Sequence, residues 1–316
     1  MTERRTPTLA IVGAGAVGST MAYAALMRGA VRRVVLHDVN AAKVRAEVLD
    51  IAHGIQFMPM GEIDGSDDVS ICAGADIVAV TAGAKQKPGQ TRLELAEATV
   101  ALTRTIMPSL VQVAPDAVYI MVTNPVDVVT YAAMKVSGLP PTQLFGSGTV
   151  LDSSRLRWLV ATEVGVSVHN VHAYIAGEHG DSEIPLWSSA SVGGVPLLEW
   201  ERQTGQLDAA TRARIATEVV TSAYQIIEGK GATNYAVALA VARIVESIVR
   251  DERRVLPVST LLQGWQGIDD VCMSVPTVVH RGGPGERLAV PLSEDERVAL
   301  IRSADQIRSV ARNLGF

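Results

Sequence analysis

The sequence predicts an α/β fold in which a doubly wound parallel sheet comes first and a mixed α/β region follows. A glycine-rich turn at residues 13–18 joins a short apolar strand, 8–12, to a helical segment, 19–28. Apolar strand-like segments then alternate with helical ones at the spacing of strand–helix–strand units. Further strands are predicted at 33–37, 69–72, 76–80 and 118–122, and further helices at 42–53 and 93–113.

A change of hydrophobic periodicity at residues 144–148 predicts a second domain. A chain of 316 residues is long enough for two domains, and we place them at residues 1–146 and 147–316. In the second, the apolar run 171–176 is typical of a buried strand end. The other predicted elements are a turn at Gly193 and Gly194, helices at 149–155, 208–228, 236–249 and 293–313, and strands at 254–261 and 267–279.

The composition excludes several classes of protein. Apolar residues make up 48% of the chain and charged residues 19%, which is typical of a folded globular protein. The net charge of −5 comes from interspersed acids and bases, so no nucleic-acid surface is expected. Because every long apolar run is interrupted by charge or glycine, we expect no membrane span, no signal peptide and a cytoplasmic location. Cys72 and Cys272, far apart in sequence, are expected to be buried thiols.

The glycine-rich turn reads Gly-Ala-Gly-Ala-Val-Gly, with glycines at 13, 15 and 18. In a strand–turn–helix unit, Gly13 allows the tight turn, Gly15 lets the backbone approach a pyrophosphate, and Gly18 lets helix and strand pack closely. Asp38 ends the next strand, where its carboxylate can bind ribose hydroxyls and repel a 2′-phosphate. This full fingerprint predicts NAD rather than NADP, the alternative being a glycine turn followed by a solvated aspartate.

Two loops follow strands at the edge where such sheets bind ligands. Residues 81–92 form a polar loop with glycine and proline, which we interpret as a mobile lid. Residues 123–127 read Thr-Asn-Pro-Val-Asp, in which Asn124 suits a helix N-cap and Pro125 the first helical turn. A capping role for Asn124 and a ligand-binding role are equally open at this point.

His179 lies in the sequence Gly-Glu-His-Gly-Asp-Ser, directly after an apolar strand end. Such a turn can hold an imidazole at the rim of a cleft for acid–base chemistry, although a turn histidine is more often structural. Asp152 and Arg155 are three apart on one helix, so they share a face. Taken alone, that pair is as readily a surface ion pair.

These five motifs, in this order, resemble the L-lactate/L-malate dehydrogenase family over essentially the whole chain, and most of all its bacterial L-lactate branch. The resemblance implies a Rossmann domain followed by a mixed α/β substrate domain. It also implies reversible NADH-dependent reduction of pyruvate to L-lactate, with no metal. The alternatives are a malate or other 2-hydroxy-acid dehydrogenase, and a non-catalytic NAD-binding protein that has kept the fold.

The resemblance also implies a role for each motif residue. His179 would exchange a proton with the substrate oxygen, Asp152 would orient its ring, and Arg155 would clamp the substrate carboxylate. Arg92 would polarise the carbonyl after lid closure. Asn124 would bridge substrate and cofactor, and Thr233 would line the pocket. The remaining residues expected beside NAD are Val17, Lys43, Gly83, Ala84, Thr105, Val122 and Ser147.

Two further expectations rest on single positions. Gln86 lies in the lid where the malate branch has an arginine, so a second substrate carboxylate would lack a cationic partner, and pyruvate is favoured over oxaloacetate. Arg157 and His172 match positions that bind fructose 1,6-bisphosphate between subunits of bacterial relatives, which implies an allosteric homotetramer. The alternative is a solvated arginine and a structural strand histidine.

Overall fold

The computed structural model describes residues 6–84 and 92–316. Within those ranges, nine strands form one sheet in the order β14-β13-β12-β6-β5-β4-β1-β2-β3, and smaller sheets contain β11-β10-β7 and β8-β9. The strands are β1 (Thr8–Val12), β2 (Arg33–His37), β3 (Glu62–Ser66), β4 (Ile77–Val80), β5 (Val118–Met121), β6 (Leu144–Gly146), β7 (Val171–His172), β8 (Ile175–Ala176), β9 (Ile184–Pro185), β10 (Ser191–Val192), β11 (Val195–Pro196), β12 (Arg254–Leu262), β13 (Val271–His280) and β14 (Gly283–Arg287).

Six neighbouring strands of this sheet, in the order β6-β5-β4-β1-β2-β3, pair in parallel, as the alternation of strands and helices predicts. β1, β4 and β5 are apolar and almost entirely buried because helices cover both faces of the sheet. The helices are α1 (Ala16–Met27), α2 (Ala41–His53), α3 (Arg92–Val113), α4 (Val126–Ser137), α5 (Val150–Val164), α6 (Leu197–Thr204), α7 (Ala209–Lys230), α8 (Tyr235–Val249) and α9 (Glu294–Asn313).

The sheet continues from the first half of the chain into the second. Ser259 of β12 pairs with Gly146 of β6, and β12, β13 and β14 then extend the sheet in antiparallel fashion. The carboxyl ends of β1, β2, β4 and β5 meet at one edge, because adjacent parallel strands end on the same side. The turns that carry the predicted ligand residues therefore lie together at that edge.

The third strand is not where the sequence predicts it. Residues Val69–Cys72 form a 3₁₀ helix, in which the Asp68 side chain accepts a hydrogen bond from the Ser70 N–H at 2.9 Å. The strand lies earlier, at Glu62–Ser66, and forms the edge of the sheet. An edge strand buries only part of its surface, so this one contains polar residues and lacks the apolar run that marks its neighbours.

Other element boundaries also differ from the prediction. Helix α4 begins at Val126 with Pro125 as its N-cap, so Asn124 is not the cap. Strand β13 begins at Val271, because residues 267–270 belong to the turn that follows β12. The apolar run 171–176 is divided between β7 and β8, which pair in different sheets. The strand boundaries are set by pairing partners that the local pattern does not show.

Two expectations from composition can be compared with the structure. Cys72 and Cys272 are both buried free thiols, as predicted. Among the described residues, no helix combines the length and the apolar character needed to cross a membrane.

Candidate active site

The glycine turn after β1 has the geometry that a dinucleotide requires. A Cβ at Gly18 would lie 1.9 Å from the Gly13 carbonyl oxygen, so only glycine allows helix α1 to pack this closely against the turn. A Cβ at Gly15, by contrast, would meet no atom within 4 Å. Gly15 therefore borders open space at the N-terminus of α1, where backbone N–H groups and the helix dipole favour a phosphate. These residues fit the pyrophosphate of NAD.

Asp38 follows β2 and points back toward the glycine turn. Its Oδ2 accepts a hydrogen bond from the Ala14 N–H at 2.8 Å, and its Oδ1 accepts one from the Asn40 N–H at 3.1 Å. A carboxylate has about four acceptor positions, so each oxygen can accept another donor. Asp38 is thus fixed beside the turn and can still accept from ribose hydroxyls.

The other predicted cofactor residues fall into two groups. Gly83, Ala84, Val122, Asn124 and Ser147 all follow carboxyl ends of the parallel strands, and Val17 and Lys43 lie in the first turns of α1 and α2. Thr105 differs, because it is exposed within α3 and its hydroxyl donates to the Ala101 carbonyl oxygen at 3.1 Å.

His179, Asp152 and Arg155 come together although they arise from two separate segments. Asp152 and Arg155 lie on α5, and His179 lies in the loop between β8 and β9. Asp152 Oδ2 is 2.6 Å from His179 Nδ1, and Asp152 Oδ1 accepts from Arg155 Nη1 at 2.6 Å. Asp152 is only 1% exposed. A buried carboxylate therefore holds the imidazole through Nδ1, and Nε2 has no hydrogen-bond partner among the described residues.

The loop that carries His179 is anchored by its backbone on three sides. Gly177 exchanges two backbone hydrogen bonds with Ser274 of β13, at 2.9 and 3.0 Å. The Glu178 N–H donates to Ser303 Oγ of α9 at 2.8 Å, and the His179 N–H donates to Asp127 Oδ2 of α4 at 2.7 Å. The loop is consequently fixed by the sheet and by two helices, although none of residues 177–183 belongs to a named strand.

The electrostatics of this cluster favour a charged pair. Burial alone would lower the pKa of His179, but the negative charge and hydrogen bond of Asp152 raise it to about 9. Burial opposes ionisation of Asp152 as well, yet its contacts with His179 and Arg155 keep its pKa below the ordinary value. At neutral pH the imidazole therefore holds a proton that it can transfer.

Glu183 is another carboxyl beside Asp152 and His179, and the sequence did not indicate a role for it. Burial and the charge of Asp152 raise its pKa to about 9, so it is neutral at neutral pH. Its Oε1 is buried and has no hydrogen-bond partner among the described residues. One atom each of Asp152, His179 and Glu183 that could bind a metal ion lies within 4.8 Å of the other two. That the reaction uses no metal therefore stays a prediction. The only sequence signal for Glu183 is that it directly follows the histidine motif.

Asp127 is a second buried carboxyl for which the sequence did not indicate a role. It belongs to the Thr-Asn-Pro-Val-Asp motif, but the sequence does not indicate what its side chain contacts. It is 2% exposed, and its carboxylate accepts from the His179 N–H and from the Ser259 hydroxyl.

Three predicted substrate residues lie away from this cluster in sequence, and the structure describes only part of them. Gln86 lies outside the described residues. Arg92 is the first residue of α3, and its side chain is likewise outside the part of the chain that the structure describes. Thr233 is half-buried in the turn between α7 and α8, next to Asn234, whose side-chain amide donates to the Thr20 hydroxyl of α1 at 2.9 Å.

Arg157 and His172 line a cleft of about 980 Å³ away from the His179 loop. Arg157 Nε donates to the Ala173 carbonyl oxygen at 2.8 Å, and its guanidinium lies 5.0 Å from the centre of the Tyr174 ring. These contacts differ from those of a freely solvated arginine, whereas His172 is exposed. Other basic residues that line the cleft are Arg28, His169, Arg243, Arg253 and Arg254.

Solved structures of similar fold come from lactate dehydrogenases. The minor L-lactate dehydrogenase of Enterococcus mundtii, in its ligands-bound form, aligns with a TM-score of 0.95 and 36% identity over 98% of both chains. A lactate dehydrogenase from a Medee basin deep-sea metagenome library aligns with a TM-score of 0.95 and 34% identity, covering 99% of this chain and 100% of its own. The predicted α/β fold class is confirmed.

Sequence comparison agrees with the fold. An L-lactate dehydrogenase of Bifidobacterium animalis subsp. lactis is 56% identical over 98% of this chain and 97% of its own length. One from Synechococcus sp. is 46% identical over 95% of this chain and 97% of its own length.

Family models cover nearly the whole chain. Residues 8–146 match the NAD binding domain of lactate/malate dehydrogenases, and residues 149–313 match the alpha/beta C-terminal domain of the same family. The resemblance predicted from the five motifs is confirmed, and so is NAD as the cofactor. The chain belongs to the lactate/malate dehydrogenase family.

Proposed function

We propose that this chain is an NAD-dependent L-lactate dehydrogenase that reversibly reduces pyruvate, with His179 as proton donor and acceptor. The observation that carries the proposal is the buried Asp152 carboxylate, which contacts both His179 and Arg155 at 2.6 Å. A 2-oxo acid needs a cation for its carboxylate and a proton for its ketone oxygen, and this cluster offers both in adjacent positions.

The residues divide the work according to their chemistry. Asp152 fixes the ring of His179 and stabilises its protonated form, so the free ring nitrogen can give a proton to the ketone oxygen of pyruvate. In lactate oxidation the neutral ring accepts the hydroxyl proton instead. Arg155 gives one N–H to Asp152 and has further donors for the substrate carboxylate. Arg92 is proposed to polarise the carbonyl.

The cofactor is proposed to lie along the edge formed by the turns after β1, β2, β4 and β5. Gly15 and the N-terminus of α1 would bind the pyrophosphate, and Asp38 the ribose hydroxyls. When bound, the nicotinamide supplies or accepts the hydride. The chain's own residues orient the substrate and move the proton.

Pyruvate is the proposed substrate because Gln86 offers no positive charge for a second carboxylate. Two relatives that are 56% and 46% identical to this chain are both named L-lactate dehydrogenase, which supports this assignment. An unpaired carboxylate in the site costs roughly 2–5 kcal/mol, which is on the order of 30-fold to several-thousand-fold in kcat/KM. The direct test compares kcat/KM for pyruvate and oxaloacetate with NADH. A preference for oxaloacetate would make malate the product instead.

The lid is tested by Gln86→Arg, which adds the missing charge. We expect this variant to gain activity with oxaloacetate while it still binds NADH. The matched control is Gln86→Lys, which adds the charge without the planar pair of donors that an arginine offers a carboxylate, and it should gain less. If Gln86→Arg leaves the ratio of the two activities unchanged, another part of the molecule selects the substrate.

Fructose 1,6-bisphosphate is the proposed effector, and a cytoplasmic homotetramer the proposed assembly. The support is three basic residues of the cleft, Arg157, His169 and His172, which suit a bisphosphate. They are separate from the cleft's arginines that pair with Glu246, Glu252 or Asp251. Pyruvate saturation curves with and without the sugar bisphosphate test the effector, with inorganic phosphate as control. Light scattering tests the tetramer. Superimposable curves at several pH values would remove the effector from the proposal.

A further inference from the structure

Asp127 is a buried carboxylate for which the proposed reaction has no direct use. It lies in the first turn of α4, and its two oxygens serve different segments of the chain. Oδ2 accepts the His179 N–H at 2.7 Å, and Oδ1 accepts the Ser259 hydroxyl of β12 at 2.6 Å. These partners are 52 and 132 positions away in sequence. A single side chain thus joins α4, β12 and the histidine loop.

We propose that Asp127 is a positioning residue for proton transfer, which holds the backbone of His179 in place and supports the protonated imidazole with its charge. The inference rests on the proposed lactate dehydrogenase function and deepens it. Asp152 fixes the ring of His179 from α5, whereas Asp127 fixes its peptide group from α4. The histidine is therefore held at both ends, which defines the position of its free ring nitrogen.

The position of Asp127 relative to Asn124 gives the arrangement a further consequence. Asn124 comes three residues earlier, directly before the turn that opens α4. One short segment therefore presents Asn124 at the proposed contact with substrate and cofactor and Asp127 at the histidine. A displacement of this segment would move both groups together, so Asp127 links the proton donor to the cofactor edge of the sheet.

The charge of Asp127 has a defined effect on the histidine. Burial raises the pKa of Asp127 to about 6, against the opposing effects of its bonds from Ser259 and His179, so it is ionised at neutral pH. Its negative charge in turn helps to raise the pKa of His179. The other charged or titratable groups around the pair are Asp152 and Arg155 on α5, Glu178 and Glu183 in the histidine loop, and Cys272 on β13.

The decisive variant is Asp127→Asn, which keeps the shape and removes the charge. The amide oxygen can still accept from the His179 N–H, and the amide nitrogen can donate to the Ser259 hydroxyl. The readout is kcat/KM for pyruvate with NADH from about pH 5 to about pH 10. We expect the alkaline midpoint to fall by about half a pH unit, and kcat/KM at neutral pH to fall about tenfold. The KM for NADH should not change.

Ser259→Ala is the matched control, because it removes the neighbouring hydrogen bond and keeps the charge. Its alkaline midpoint should equal that of the wild type. In the wild type we expect an acidic limb near pH 6 from protonation of Asp127. In Ser259→Ala this limb should move to higher pH, since the lost hydroxyl no longer stabilises the carboxylate. Asp127→Asn should lack this acidic limb.

The outcomes separate the inference from the function on which it rests. Coincident alkaline midpoints for wild type and Asp127→Asn would reduce Asp127 to a structural role and overturn the inference. If Asp127→Asn does not fold, the acidic limb of Ser259→Ala decides, and an unmoved limb overturns it equally. A wild-type protein that binds NADH and does not reduce pyruvate would refute the proposed function instead.

Discussion

Two buried carboxylates in this molecule, Asp152 and Glu246, have nearly the same surroundings and different uses. Each is 1% exposed, and each is held by two basic side chains. Asp152 contacts Arg155 and His179. Glu246, on α8, accepts from Arg28 Nε and Nη2 of the α1 terminus at 2.8 and 2.9 Å, and also from Arg243.

The difference lies in whether the cation can release a proton. An arginine stays protonated at any accessible pH, so the Glu246 cluster is a permanent ion pair that joins α8 to the end of α1. Its contacts with these arginines keep the pKa of Glu246 low, although burial opposes this. A histidine can exchange its proton, so a buried carboxylate paired with His179 instead of a second arginine suits the proposed proton donor.

The largest expected effect follows from neutralising Asp152, the carboxylate proposed to orient His179. Asp152→Asn keeps the size of the side chain but removes the charge that holds the proton on His179. We expect kcat/KM for pyruvate to fall by about 10²–10³-fold, while folding and NADH binding persist. Steady-state kinetics and NADH fluorescence titration measure the two quantities. Turnover that survived intact would require a new role for His179.

Neutralising the other carboxylate should change stability rather than turnover. Glu246→Gln leaves two arginines without their shared anion, and we expect the free energy of unfolding to fall by about 1–3 kcal/mol. The cost is moderate because Arg28 and Arg243 are partly exposed and can be hydrated again. Denaturant titration measures it. A fall in kcat/KM as large as that of Asp152→Asn would contradict the distinction between the clusters.

The pH dependence of the wild type sharpens the comparison. Because the pKa of His179 is raised to about 9, pyruvate reduction should lose about tenfold in kcat/KM per pH unit above that value, and lactate oxidation should rise up to it. The stability contributed by the raised pKa is complete below about 6.5 and is lost as the pH rises through about 9. In Asp152→Asn the alkaline limb should move to lower pH. A limb that does not move would mean that another group titrates.

The smallest effect is expected from Glu183→Gln. The pKa of Glu183 is raised by burial from 4.5 to about 9, so the folded state binds its proton more tightly than the unfolded state. Wild-type stability should therefore fall relative to the variant as the pH rises from about 4.5 to about 9. Unfolding curves at about pH 4 are the control, where both proteins carry a neutral side chain. If the unfolding curves of wild type and Glu183→Gln differ by the same amount at this pH and at about pH 9, the pKa of Glu183 is not raised and its side chain is exposed to solvent.

Much of the fold and the site can be predicted from local sequence. The glycine fingerprint with Asp38 indicates a strand, a turn and a helix that bind NAD, because Gly13 and Gly18 avoid clashes within the turn and Gly15 leaves room for a pyrophosphate. The five ordered motifs indicate the family, and with it His179, Asp152 and Arg155. These signals are readable because each is carried by residues close together in the chain.

Sequence alone did not determine the features that depend on partners far along the chain. The polar edge strand Glu62–Ser66 has no apolar period, because an edge position does not require one. The bonds of Asp127 to His179 and Ser259, and the burial of Glu183, arise only when α4, α5, β12 and the histidine loop meet. A residue's type limits the chemistry it can perform, but burial and partners set its pKa, and folding supplies both.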